Sequence, residues 1–84
     1  MNQLPSTSEL SLAILKVMKV EEVKRTLDID NLVAEFLRIP SEYLELKRLG
    51  KRTEFGYRMA WAKQKLKASK NLENLGSGNW KRIA

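Results

Sequence analysis

Residues 51–66 read KRTEFGYRMAWAKQKL, and their period decides what the fold is built around. At about 100° per residue, Phe55, Met59, Ala62 and Leu66 fall on one side of a helix and predict a core stripe, with Arg58 and Ser69 at one margin. Ala60, Lys63, Gln64 and Lys67 lie away from the stripe, while Tyr57 and Trp61 sit one turn apart on an intermediate face. Thr53 is a natural N-cap, and Gly56 in the first turn leaves room for a close backbone approach. Working outward, the span from Lys47 to Lys70 holds nine basic residues (Lys47, Arg48, Lys51, Arg52, Arg58, Lys63, Lys65, Lys67, Lys70) against one acid, Glu54. Lysine and arginine neutralise phosphates and release condensed counterions, so such a stretch points first to DNA or RNA.

The chain of 84 residues makes one domain, of a size that buries roughly 60 to 65% of its unfolded surface. It has no cysteine and no histidine, which excludes disulfides, a Cys/His zinc site and the usual neutral-pH general base. Catalysis by this chain is therefore not expected, and no cofactor or metal is. The start MNQLPSTSEL lacks a basic region followed by an apolar one, and no apolar run approaches the ~20 residues that span a bilayer. The chain reads as cytoplasmic, with no membrane partner. Its net charge of +6 is unevenly spread: residues 1–47 hold six Lys/Arg and eight Asp/Glu, residues 48–84 ten and two. One half has the balance of a scaffold and the other that of a surface for an anionic partner.

Upstream, Ser6-Thr7-Ser8-Glu9 has the spacing of a capping box and predicts a helix with Leu10, Ala13, Ile14, Val17 and Met18 on one face, widened by Leu12 and Leu15. Val20–Arg25 has no decisive period and is read as a short strand with Val23 inward, the frayed end of the first helix being the alternative. Thr26 or Asp28 caps a second helix whose stripe is Ile29, Leu32, Val33, Phe36 and Leu37, ended by Pro40. Ser41–Leu46 predicts a turn or two of helix covering the core with Tyr43, Leu44 and Leu46. After the basic helix, two short segments flank Gly76-Ser77-Gly78, a hairpin signature, with Leu72 and Trp80 inward and Lys81 and Arg82 beside the exposed tip.

The predicted order is helix, strand, helix, helix, hairpin, mostly α with a small β-hairpin (α+β), which is the order of a winged helix-turn-helix. Residues 1–8 are set as an N-terminal arm and 9–84 as a single winged-helix domain. In that arrangement the third helix enters the major groove and the hairpin, or wing, reaches neighbouring phosphates.

The run Gly50, Lys51, Thr53, Phe55, Arg58, Trp61, Ala62 matches G-K-x-T-x-F-x-x-R-x-x-W-A, followed by Lys65-Leu66-Lys67 and, across the hairpin, Gly78-Asn79-Trp80. This pattern resembles the N-terminal domain of Mrr-type restriction proteins, extending upstream through Leu37–Pro40, Ala34 and Leu32 and covering the chain from about Glu9. The resemblance implies a winged-helix DNA-binding module that precedes a separate nuclease domain acting on modified foreign DNA. Two departures stand out: Ser69-Lys70-Asn71-Leu72 replaces an Ala-Gly-Leu turn, and Trp80-Lys81-Arg82-Ile83 replaces a Trp-x-Ile ending.

The expected partner is duplex DNA, with a nuclease domain in the same polypeptide implied by the resemblance and a homodimer left open. Phosphate anchoring is assigned to Lys51, Arg52, Lys63, Lys67, Lys81 and Arg82, and base-edge contact to Thr53, Tyr57, Ala60 and Gln64. Gln64 is the member suited to bidentate contact with adenine. Lys51 and Arg52 stand at a helix N-terminus, where the dipole disfavours cations unless a phosphate arrives. Against this, charge runs are commonly a solvated face and paired aromatics commonly pack. Lys65, Lys70 and Trp61 are accordingly left to the scaffold, and Arg58 to either an internal ion pair or a phosphate. Glu45-Leu46-Lys47 has Glu-x-Lys nuclease spacing but no adjoining carboxylate strand to hold Mg²⁺. The competing readings are a winged helix that docks an acidic protein without binding DNA and, more weakly, a basic helix lying on a membrane surface.

Overall fold

The computed structural model describes residues 4–47 and 52–84. Along the chain run α1 (Thr7–Val17), β1 (Val23–Arg25), α2 (Thr26–Phe36), α3 (Ser41–Leu44), α4 (Glu54–Ala68), β2 (Leu72–Gly76) and β3 (Asn79–Arg82). Among the described residues the result is a small mixed domain of four helices and a three-stranded antiparallel sheet in the order β1-β3-β2. The predicted short strand thus joins the hairpin on the far side of β3.

Helix α1 opens with the predicted capping box: Glu9 N–H donates to Ser6 Oγ and Ser6 N–H to the Glu9 carboxylate. The helix begins at Thr7, two residues before the boundary set at Glu9, and Leu4 ahead of it is buried in the core. Leu10, Ala13, Ile14 and Met18 are buried, each large one contributing about 1.5–3 kcal/mol. Leu12, expected to widen that face, is 65% exposed instead, because it lies on the side of α1 turned from both α2 and α4.

Two expectations for β1 and α2 are corrected. Val23 points outward: the register sets it opposite Lys81, while Lys24 stands opposite the inward Trp80. Thr26 is the first residue of α2 rather than its cap, and neither its hydroxyl nor Asp28 caps the helix; the N-cap position is Arg25. The Thr26 hydroxyl goes instead to the hairpin turn, donating to Gly78 O at 3.2 Å and accepting from Trp80 Nε1 at 3.1 Å. Thr26 N–H also donates to Gly78 O, at 2.8 Å. Of the predicted stripe, Ile29 and Val33 are buried and Phe36 is exposed.

Helices α2 and α4 end alike. Ile39 N–H reaches back to Ala34 O and Arg38 N–H to Glu35 O; Asn71 N–H reaches Leu66 O and Lys70 N–H Lys67 O. These are Schellman closures, and their pivots Arg38 (φ 53°) and Lys70 (φ 64°) are left-handed where glycine is usual. Lys70 lies in the turn where the resemblance expects Ala-Gly-Leu. Between the helices Tyr43 and Leu44 of α3 pack on the core as predicted, whereas Leu46 is exposed.

Helix α4 packs on α1, β2 and α3. Its predicted stripe is buried in full: Phe55, Met59, Ala62 and Leu66. Leu72 and Trp80 close the core from the hairpin. Asn74 Oδ1 accepts from Gly76 N–H, a bulge lies between Asn74 and Gly76, and Gly76 and Gly78 supply the positive φ the turn requires.

Candidate nucleic-acid interface

The first turn of α4 is fixed by Thr53, whose hydroxyl accepts Gly56 N–H at 3.0 Å. A Cβ on Gly56 would stand 3.0 Å from that oxygen, so the close approach expected at Gly56 is to the cap itself. Thr53 is therefore half-buried as a cap, not presented on the open face.

Three of the expected base-edge residues do converge. Tyr57, Ala60 and Gln64, together with Trp61 and Arg52, line a bowl of about 250 Å³ on the outer side of α4. Tyr57 and Trp61 meet edge to face, centroids 6.4 Å apart and planes at 71°. Trp61, expected to pack, is 55% exposed. Lys63 rather than Trp61 borders the buried stripe of α4, and Trp61 turns outward. Arg52, Gln64 and Lys67 are exposed. Lys51 lies outside the described residues, as does Gly50.

On the other side of Ala60 and Gln64 runs a second groove of about 310 Å³, between α4 and the start of α2, bounded also by Arg52, Gly56, Thr26 and Trp80. At its floor is Lys63, only 2% exposed, with Nζ 2.5 Å from Asp30 Oδ1. Lys63, expected as a phosphate contact, is instead buried, because α2 brings a carboxylate to meet it, and the pair joins α2 to α4. Burial lifts the Asp30 carboxyl above the usual aspartate range, while the Lys63 ammonium pulls it back down.

Neither wing cation stands beside the tip. Arg82 lies at the base of the hairpin opposite Leu72, and its Nη1 donates to Leu15 O at 2.7 Å and Met18 O at 2.6 Å, satisfying carbonyls at the α1 C-terminus. Lys81 faces Glu21, 3.0 Å away. The cation that does stand beside the hairpin tip is Arg25, which sequence reasoning missed. It is exposed and, with Thr26, Leu27, Ser77, Gly78 and Asn79, borders a depression of about 410 Å³ where the hairpin tip meets the start of α2. A signal was available, since Arg25 is a cation at a helix N-terminus, the same conflict noted for Lys51 and Arg52.

Arg58 resolves to the internal alternative. Its Nε is 2.7 Å from Glu54 Oε2, and Nη1 donates to the carbonyls of Leu4 and Pro5, tying the N-terminal segment to α4. Lys65 donates to Ser8 Oγ, on the α1 side. A shallow depression between α1 and α2, bounded by Val17, Leu32, Glu35 and Phe36, holds none of the expected residues. Among the described residues no cluster of three or more His, Cys, Asp or Glu is placed to hold a metal ion, and no helix is long and apolar enough to cross a membrane.

A family model described as the Mrr N-terminal domain matches residues 8–81. No curated protein and no solved structure matches the chain. The matched span runs from Ser8 in the first turn of α1 to Lys81 in β3 and takes in the motif that opens α4. The chain belongs to the Mrr N-terminal domain family, and with it to the domains associated with restriction systems.

Proposed function

We propose that this chain is a winged helix that binds duplex DNA, with α4 in the major groove and the hairpin tip at a neighbouring phosphate strand. It serves as the DNA-targeting module of a restriction protein, whose nuclease domain lies elsewhere in the same polypeptide. The observation that carries the reading is the outer side of α4. There Arg52 and Gln64 are exposed at a bowl, Lys67 is exposed three residues beyond Gln64, and a second groove runs between the bowl and α2. The sheet order and the helix–strand–helix–helix–hairpin sequence support the winged-helix assignment, and family membership supports the restriction context. Arg52 and Lys67, with Lys51 and Arg25, anchor phosphates; Ala60, Gln64 and Tyr57 lie nearest the base edges. Lys63, Lys81 and Arg82 hold the fold.

Binding to a duplex over a salt series tests this. Log K falls against log salt with a slope of about −0.9 per phosphate neutralised, so four anchors give roughly −3.6. A flat response, with binding instead to an acidic protein and dependent on the exposed Trp61, selects the protein-docking reading.

A further inference from the structure

The bowl on α4 is chemically two-sided. Tyr57, Ala60, Trp61 and Gln64 stand at i, i+3, i+4 and i+7, a contiguous patch on the helix surface. The small Ala60 between larger neighbours makes the patch concave. Its one wall is the Tyr57–Trp61 pair, two rings held edge to face. Its other wall carries the carboxamide of the exposed Gln64, while Arg52, just ahead of the N-cap, is assigned to phosphate.

In the major groove only thymine, among the four unmodified bases, shows a methyl group, and only adenine shows an acceptor and a donor side by side at N7 and N6. An alanine floor with an aromatic wall complements the first, and a glutamine amide complements the second. A guanine-reading bowl would present a lysine or arginine to the base edge; here Lys63 is engaged by Asp30, and Arg52, which also lines the bowl, stands ahead of the N-cap and is assigned to a phosphate. We propose that the bowl takes the C5-methyl group of a thymine, while Gln64 hydrogen-bonds the adenine of the adjoining base pair, so that the preferred site contains a step of two A·T pairs. The assignment rests on the DNA-binding reading above and adds its base specificity.

The test begins with selection of the whole chain on a pool of random-sequence duplexes, followed by replacement of each thymine in the enriched duplex by deoxyuridine, which removes the methyl group alone. At one position the replacement weakens wild-type binding by about fourfold, the size expected for one methyl group withdrawn from an apolar site. Trp61→Ala, at an exposed position, keeps its thermal midpoint and loses that discrimination. Gln64→Ala keeps the methyl effect and loses about tenfold or more in preference for the neighbouring adenine. Equal affinity for thymine and deoxyuridine at every position overturns the proposal, as does full methyl sensitivity in Trp61→Ala. Tighter binding of 5-methylcytosine than of thymine at that position also overturns it, by giving the bowl to a different pyrimidine. Failure to bind any duplex removes the DNA-binding reading and this inference with it; uniform binding removes the inference alone.

Discussion

Lys63 and Lys67 stand one turn apart on α4 and serve opposite ends. Lys63 is closed into the floor of a groove against Asp30, and Lys67 is open to solvent on the outer side. The same division runs through the other cations of the chain's basic half. Arg58 holds the carbonyls of Leu4 and Pro5 and Arg82 those of Leu15 and Met18, whereas Arg52 is exposed at the rim of both grooves. Charge counted along a sequence is therefore not charge offered to a ligand. A small domain uses part of its basic inventory to join elements that its apolar core alone does not join, and only some of the remainder lies on the outer side of α4 proposed to meet DNA.

The comparison breaks most sharply at Lys63. Lys63→Met leaves the Asp30 carboxylate in the groove without its cation, and near-neutral stability falls by about 2 to 3 kcal/mol, the partial exposure of Asp30 reducing the cost of a fully buried unpaired charge. The sign with pH follows from the raised carboxyl. Losing Lys63 raises it further, so the folded state takes up a proton more readily than the unfolded state, and the deficit shrinks as pH falls through the raised value. Urea denaturation of both proteins near neutrality and at about pH 4 measures it, the ordinary aspartate value being about 3.9. A deficit that grows on acidification contradicts the pairing.

Next in size is Arg82→Ala, which frees the Leu15 and Met18 carbonyls and lowers stability by about 2 kcal/mol with DNA affinity unchanged once the protein is folded. If it instead weakens DNA binding at full folding, Arg82 belongs with the outer cations. Smallest is Lys70→Gly, which relieves the left-handed pivot at the end of α4 and raises the denaturation midpoint by the equivalent of about 0.5 to 1 kcal/mol. An unchanged or lower midpoint would mean that the lysine's charge near the helix C-terminus outweighs its backbone strain.

Features set within a few residues were legible in the sequence: the capping box at Ser6 and Glu9, the Thr53 cap, the stripe from Phe55 to Leu66, and the turn at Gly76–Gly78. What escaped depends on partners far along the chain. Asp30 is 33 residues from Lys63, and the carbonyls that hold Arg82 are 64 and 67 residues away. Periodicity places a residue on a helix face but does not say which neighbour covers the margin of that face. That is why Lys63 and Trp61 exchange roles: one flank of α4 meets Asp30 of α2, and the other opens outward. Of the candidate site, Tyr57, Ala60, Gln64 and Arg52 converge as a group, while Arg25 joins only through the fold that sets α2 beside the hairpin tip.

The division between outer and structural cations is tested most directly by the salt dependence of duplex binding in two double variants. Arg52→Gln with Lys67→Gln flattens the slope of log K against log salt by about 1.8, two phosphate contacts at 0.9 each, whereas Lys65→Gln with Lys70→Gln leaves it unchanged. Equal flattening by both pairs, or by neither, would contradict the assignment of DNA contact to the outer side of α4.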